Sequence, residues 1–315
     1  MQELNIRAAL ILSGMEKIII MIKQSLLAGL ILLFAACSNE SDQNVQDNQA
    51  VVPVCVHVSG FSMNQEEFPT TRTAPQSPAD YAGIKSLTLA FYDGTTEVYK
   101  TTQNKDDTST YTTFGEFSLS LPLGSYTMVV LGYALYNDDE LTLTSPTLAG
   151  FTVGSARETF SATQAVNITN TSAVELSATL NRIVAQLKII STDNRTANVT
   201  NVRMTFSAGG KAFNSTTGLA TSNTGFSNTV GISAAVGEKT GSISNIFLAT
   251  DEQTMDVTIE TLDADGNTLF NKTVTNVPFK RNRITKLSGA IYSNTDVSSL
   301  LLVNTGWLAD HNDTF

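Results

Sequence analysis

The sequence of 315 residues predicts an all-β protein made of two tandem β-sandwich domains after an N-terminal export segment. Three observations predict this class. From residue 51 onward, short runs alternate apolar and polar side chains, which is the period of a half-buried strand. Gly, Asn and Asp residues separate these runs, as turns do in β-sandwiches. Charged residues make up only 15% of the chain, against a usual share of about a quarter, and Ser, Thr and Asn replace them, as in secreted and surface β-proteins.

The N-terminus has the pattern of an export signal. Lys23 precedes the apolar run Leu26–Ala36, which is shorter than the about 20 residues that a membrane-spanning helix needs. A charged residue, a short apolar core and small residues before a cleavage point are typical of a signal peptide. We therefore predict a signal peptide over residues 1–36, with Met21 as a second candidate start.

Cys37 directly follows Ala35 and Ala36. This junction resembles the lipobox of bacterial lipoproteins, in which the cysteine is acylated, with palmitate among the chains, and becomes the first mature residue. The resemblance implies a lipid on Cys37 that anchors the precursor in the outer membrane, because two or three acyl chains together hold a protein stably. The polar residues 37–50 then form a tether. An ordinary signal peptide with an incidental cysteine is the alternative.

Strand candidates follow one another through the rest of the chain. Pro53 predicts that the first of them is an edge or terminal strand, because proline cannot donate to a ladder. Asp263–Asn267 predicts a tight hairpin turn. The segment Asn181–Lys188 also fits a short helix. The strand candidates are Val51–Val58, Ile84–Tyr92, Thr96–Thr101, Phe114–Leu121, Tyr126–Tyr133, Phe160–Ile168, Ala173–Leu180, Arg182–Ile190, Val202–Phe206, Ile243–Ala249, Met255–Leu262 and Thr268–Val274.

The domain boundary is predicted from a change in composition. Asn167–Ser172 is polar and turn-prone, so we place the two domains at 51–178 and 179–315. Gly209–Lys239 is rich in Gly, Ser, Thr and Asn, which predicts a long loop region with short strands. Such a region is a candidate recognition surface, although a solvated loop without specific use is the simpler interpretation.

Composition argues against several classes of function. The net charge of −10, without a basic stripe, argues against a nucleic-acid partner. Two Cys and two His exclude a disulfide framework and a Cys/His zinc site of normal spacing. Neither His57 nor His311 belongs to a catalytic motif, and a calcium loop that began at Asp263 would place Val274 where a Glu is needed. We therefore assign no catalytic, cofactor-binding or metal-binding residue and predict that the protein is not an enzyme.

Four features, in this order, resemble the fimbrillin superfamily of Bacteroidales, the subunits of type V pili. The resemblance covers nearly the whole mature chain. The features are the lipobox Leu33–Cys37, the first strand Val51–Val58 with the following loop Thr70–Ala74, the pair Asn181–Ile190 and Asn276–Leu287, and the tail Leu300–Phe315.

The resemblance implies two transthyretin-like β-sandwiches and a maturation step. In this superfamily an Arg-specific protease cuts the lipidated precursor in the loop after the first strand, and a strand from another subunit fills the groove that is left. Arg72 is the only Arg or Lys between Cys37 and Lys85. The implied cut therefore lies between Arg72 and Thr73 and releases residues 51–72. An ordinary loop arginine is the alternative.

The resemblance also implies a donor strand at the C-terminus. Asp296–Leu308 would carry it, with Leu300, Leu302 and Trp307 as anchors in the groove of a neighbour. The alternative is a tail that completes its own domain.

The implied function is a structural subunit of a surface fimbria, in the stalk or at the tip, that supports adhesion. The implied partners are other fimbrial subunits in a homopolymer or heteropolymer, the outer membrane, the Arg-specific protease and a host or bacterial surface ligand. A fimbrial anchor subunit is a second interpretation, disfavoured because residues 38–52 lack a second cysteine. A surface glycan-binding lipoprotein is a third, for which a single Trp is poor support, and a surface hydrolase lacks a motif.

Overall fold

The structure is a computed structural model that describes residues 50–62, 77–136, 140–153, 155–293 and 301–306. Within those ranges every regular element is a strand, so the predicted all-β sandwich class is confirmed. The strands are β1 Val51–Ser62, β2 Ser86–Asp93, β3 Thr96–Asn104, β4 Glu116–Pro122, β5 Gly124–Tyr133, β6 Glu140–Ser145, β7 Leu148–Val153, β8 Thr159–Ile168, β9 Val174–Arg182, β10 Ala185–Ser191, β11 Asn201–Phe206, β12 Ala212–Phe213, β13 Phe226–Gly231, β14 Gly241–Ile246, β15 Glu252–Leu262, β16 Thr268–Lys280, β17 Arg283–Gly289 and β18 Leu301–Gly306.

Seven of the first nine strands form one large sheet with the order β3-β2-β5-β8-β9-β1-β4, and β6 and β7 form a smaller sheet with β12. The two halves of the large sheet are joined only where Phe160 and Ser161 of β8 pair with Arg182 and Asn181 of β9. Side chains from both halves enter one apolar cluster, which contains Val54 of β1. The sheet therefore closes on itself like a sandwich, with the core between its halves.

Strand β1 lies inside this sheet. It runs antiparallel to β4 on one side and parallel to β9 on the other. The prediction of an edge strand from Pro53 is therefore wrong. The ladder with β9 begins only at Val54, so the proline, which cannot donate, precedes the part of β1 that is paired on both sides.

The later strands form two further sheets, with the orders β14-β10-β17-β18 and β13-β11-β15-β16. A second apolar cluster lies between them and includes Leu187, Met204 and Ile259. The alternative of a helix over Asn181–Lys188 is wrong, because these residues belong to the end of β9, a short connection and the start of β10. When both faces of a strand are buried, its apolar side chains do not alternate with polar ones, which explains why the sequence fitted a helix as well as a strand.

A third cluster covers the outer face of β2 and β5. The hairpin of β6 and β7, which the sequence did not predict, packs there together with β12. Phe213 and Phe247 stack at its centre, with ring centroids 4.4 Å apart. Since both faces of β2 and β5 are covered, β2 is buried at every position except Asp93.

The sequence made two predictions about the organisation of the chain, one for a loop region and one for the domain boundary. The region Gly209–Lys239 contains the short strands β12 and β13, as expected. The domain boundary after residue 178 falls within β9 and stays a prediction. Among the described residues, no helix is long and apolar enough to cross a membrane.

Candidate functional site

The inward face of β1 is a row of valines. Val52, Val54, Val56 and Val58 are all essentially inaccessible to solvent, whereas Val51 at the strand start is 61% exposed. This alternation follows the two-residue period of a strand. Burying one such side chain stabilises a fold by about 1.5–3 kcal/mol. The valines therefore bind β1 to the space between β4 and β9 through side chains as well as backbone.

Phe61 closes the row at the far end of β1. A bulge between Val58 and Gly60 shifts the register, and Gly60 has a φ of 151°, which favours glycine. The extra residue turns Phe61 inward, where it is completely buried. Its ring centroid lies 4.8 Å from that of Phe160 and 5.4 Å from that of Tyr81.

Gly132 of β5 forms a further wall of this pocket, which we call the Phe61 pocket. A Cβ atom at Gly132 would lie 2.8 Å from the Phe61 ring and 3.2 Å from Leu87. The Leu180 side chain would lie 3.3 Å from the same atom. Only glycine at this position leaves enough room for the aromatic ring.

A buried ion pair lies beside the Phe61 pocket. The Arg182 side chain is only 2% exposed and its Nη2 lies 2.7 Å from Glu158 Oε1. Arg182 also donates to Tyr81 Oη over 2.8 Å and to Asn282 Oδ1 over 3.0 Å. Its guanidinium lies 4.8 Å from the centroid of the Phe160 ring. Arg182 thus connects β8 and β9 with the β16–β17 turn and with the segment that contains Tyr81.

Tyr81 completes this network. Its hydroxyl donates to Glu158 over 2.6 Å. Burial raises the pKa of Tyr81 to about 12; the nearby Arg182 charge opposes the rise and Glu158 adds to it. Tyr81 is therefore a neutral donor at physiological pH and ties the segment that begins at residue 77 to the sandwich.

Two lysines lie at the same end of the sandwich. Lys105 Nζ donates to the carbonyl oxygens of Pro78 and Tyr81 over 3.2 and 3.0 Å. Burial, and next the charge of Lys85, hold the pKa of Lys105 below its ordinary value. The charges of Asp80 and Asp106 act in the opposite direction, so the two lysines share this end of the sandwich with acidic side chains. The sequence did not predict that Lys85 and Lys105 are neighbours, because they are 20 positions apart.

The outward face of β1 carries His57, which contacts Glu116 of β4 directly across the ladder. Both side chains are about half exposed. Among the described residues, no group of three His, Cys, Asp or Glu side chains could hold a metal ion. The pair contributes a cross-strand contact on the solvent side of β1.

Among the described strands, β18 has one neighbour. It runs antiparallel to β17, with Leu302 opposite Leu287. The chain just before it is held by Asp193, whose carboxylate accepts the backbone N–H groups of Ile291 and Tyr292 over 2.9 and 2.8 Å and the Ser293 hydroxyl over 3.1 Å. The tail thus departs from a fixed point.

Of the predicted site residues, the structure describes Leu302 in β18. The others stay predictions because they lie outside the described residues: Cys37, Arg72, Thr73, Leu300 and Trp307.

Comparison with known proteins finds a family and a group of solved structures. The model of DUF6562, a family of unknown function, matches residues 60–311. No curated protein matches the sequence. A candidate adhesin of Bacteroides ovatus is 9% identical, with a TM-score of 0.48 over 76% of this chain and 88% of that chain.

Two other solved structures carry fimbrial names. The fimbrial anchor protein Mfa2 of Porphyromonas gingivalis is 12% identical, with a TM-score of 0.46 over 82% of this chain and 99% of that one. A fimbrial assembly protein of Parabacteroides distasonis is 12% identical, with a TM-score of 0.38 over 84% of this chain and 97% of that one.

Proposed function

The chain belongs to the family of unknown function DUF6562, and we propose that it is a structural subunit of a cell-surface fimbria that assembles by exchange of strands. In this proposal the subunit is exported as a lipoprotein with its lipid on Cys37. An Arg-specific protease cuts it after Arg72, β1 leaves, and the C-terminal tail of another subunit takes the place of β1. The fimbria supports adhesion.

The observation that carries the proposal is the place of β1 in the sheet. Backbone groups of β1 pair with β4 on one side and with β9 on the other, and its valines fill the core between them. Without β1, the facing edges of both neighbours and an apolar floor would be exposed to water. Such an edge pairs readily with a strand from another chain.

The position of Arg72 supports the same mechanism. A cut after Arg72 would separate all of β1 from the rest of the chain, because β1 ends at Ser62 and the next described segment begins at residue 77. That segment is held to the sandwich by Tyr81 and Lys105. The body would therefore keep its own contacts while β1 leaves.

The pairing of β18 explains why the tail would favour the groove of a neighbour over its place in its own subunit. In its own subunit the tail pairs along one edge, with β17. In the groove of a neighbour it would pair along two edges and also bury side chains in the core. More backbone hydrogen bonds and more buried apolar surface favour the second arrangement.

The test uses the mature chain and an Arg-specific protease. Wild-type protein is expected to lose residues up to 72 and then to form polymers visible by electron microscopy. Arg72→Ala is expected to stay uncut and monomeric and, in cells, to remain a surface lipoprotein. Arg157→Ala is the matched control, because Arg157 precedes β8, outside the loop that would be cut, and lies over the ring of Tyr136, so this variant should polymerise normally.

Fibres of normal length from Arg72→Ala would refute the assigned cut. A wild-type chain that keeps β1 and sits only at the base of fibres would instead be an anchor subunit. A wild-type chain that is cut and always stays solitary would end the proposal of polymer assembly.

A further inference from the structure

We propose that the Phe61 pocket is the socket for Trp307 of a second copy of this chain. The inference rests on the proposed function and goes further, because it names one side chain of the tail and the place where it binds. The socket is formed by described residues: Tyr81, Leu87, Gly132, Phe160 and Leu180.

The pattern of the tail repeats the pattern of β1. In β1, aliphatic side chains at every second position precede one aromatic residue: Val54, Val56, Val58 and then Phe61. In the tail, alternate residues are again branched and end in an aromatic residue: Leu301, Val303, Thr305 and then Trp307. Residues two apart share one face of a strand. A tail that runs in the direction of β1 therefore brings Trp307 to the end where Phe61 lies.

This pairing revises the anchors inferred from the resemblance. Leu300 and Leu302 share one face of an extended strand, whereas Trp307 shares the opposite face with Leu301 and Val303. The three anchors cannot all point into one groove if the strand is regular. The groove should therefore bind the odd-numbered residues of the tail.

The tail would reach the same register as β1. In β1 the bulge adds a residue without advancing the ladder, because Val58 pairs with Ala178 and Phe61 pairs with Leu180, two positions further along β9. The tail has only Gly306 between Thr305 and Trp307. A regular tail with Thr305 in the place of Val58 would therefore put Trp307 opposite Leu180, where Phe61 lies in the precursor. The tail would thus reach the socket without a bulge.

Trp307 reports its own surroundings, because it is the only tryptophan of the chain. The experiment measures the emission maximum and acrylamide quenching of polymers made from the protease-treated mature chain. Phe160→Leu opens the socket wall, and Phe117→Leu removes the same atoms from β4, elsewhere in the same core. We expect polymers of Phe160→Leu to show red-shifted, more quenchable emission than those of wild type and Phe117→Leu.

Variants of the tail give an independent measurement. Trp307→Ala is expected to speed dissociation of polymer joints on the order of 30-fold, the loss typical of a central aromatic anchor. Trp307→Phe should recover most of that loss, since the socket already holds a phenyl ring in the precursor. Leu302→Ala, on the opposite face of the strand, should have a smaller effect than Trp307→Ala.

The outcomes separate this inference from the proposed function. Polymers whose stability is unchanged by Trp307→Ala, or whose emission responds equally to both Phe→Leu substitutions, would overturn the socket while leaving strand exchange intact. Wild-type chains that form no polymer after cleavage would overturn both proposals.

Discussion

Val56→Ala should weaken the uncut chain and leave the polymer unchanged. Val56 is completely buried between β4 and β9. Removing two buried methyl groups costs about 2 kcal/mol, the sum of the transfer term and the cavity left behind. The cost falls only on the form that contains β1. It corresponds to about a 30-fold shift in the equilibrium between bound and released β1.

The assay compares urea unfolding of the uncut chain with dissociation of the polymer. Val56→Ala is expected to lower the unfolding free energy of the uncut chain and to speed polymer formation after cleavage. Val51→Ala, the same substitution at an exposed position of the same strand, should change neither. Equal destabilisation of the uncut chain and of the polymer would show that β1 remains in the assembled subunit and would refute the reasoning.

Two further predictions concern the network beside the Phe61 pocket. Arg182→Met should destabilise the fold by about 3–5 kcal/mol, because it leaves the Glu158 carboxylate without its buried partner. Lys280→Met, which removes an exposed ion pair, should cost less than about 1 kcal/mol. Equal losses of stability in thermal unfolding would contradict the prediction for Arg182. Because the pKa of Tyr81 is raised from 10.0 to about 12 in the folded state, its contribution to stability is fully present below pH 10 and is lost as the pH rises toward 12. The difference in urea midpoint between wild type and Tyr81→Phe should therefore shrink as the pH rises from 10 toward 12. A difference that grows over this pH range would contradict the predicted role of Tyr81.

Much of the strand order could be read from alternation and turns. The run Asp263–Asn267 forms the hairpin between β15 and β16, as predicted. Its Asp263 side chain accepts N–H groups from the turn itself, so the signal is local. Strands such as β4, with one buried and one exposed face, also carry a clear period.

Other features depend on contacts that are distant in sequence. The interior place of β1 was mispredicted because Pro53 shows only that one backbone N–H is missing from the strand. The partners of β1 lie more than 50 residues away in the sequence. The hairpin of β6 and β7 was missed because its apolar face is set by Phe213 and Phe247. The ion pair of Arg182 and Glu158 was likewise beyond local reasoning, since neither residue lies in a motif.

The mixed pairing of β1 has a consequence for any assembled fibre. An occupant that takes the orientation of β1 lies parallel to β9 and antiparallel to β4. If the tail keeps this orientation, every joint has the same sense. A repeated head-to-tail contact of one sense builds an open filament rather than a closed pair, and its two ends are chemically unlike: one presents an empty groove and the other an unused tail.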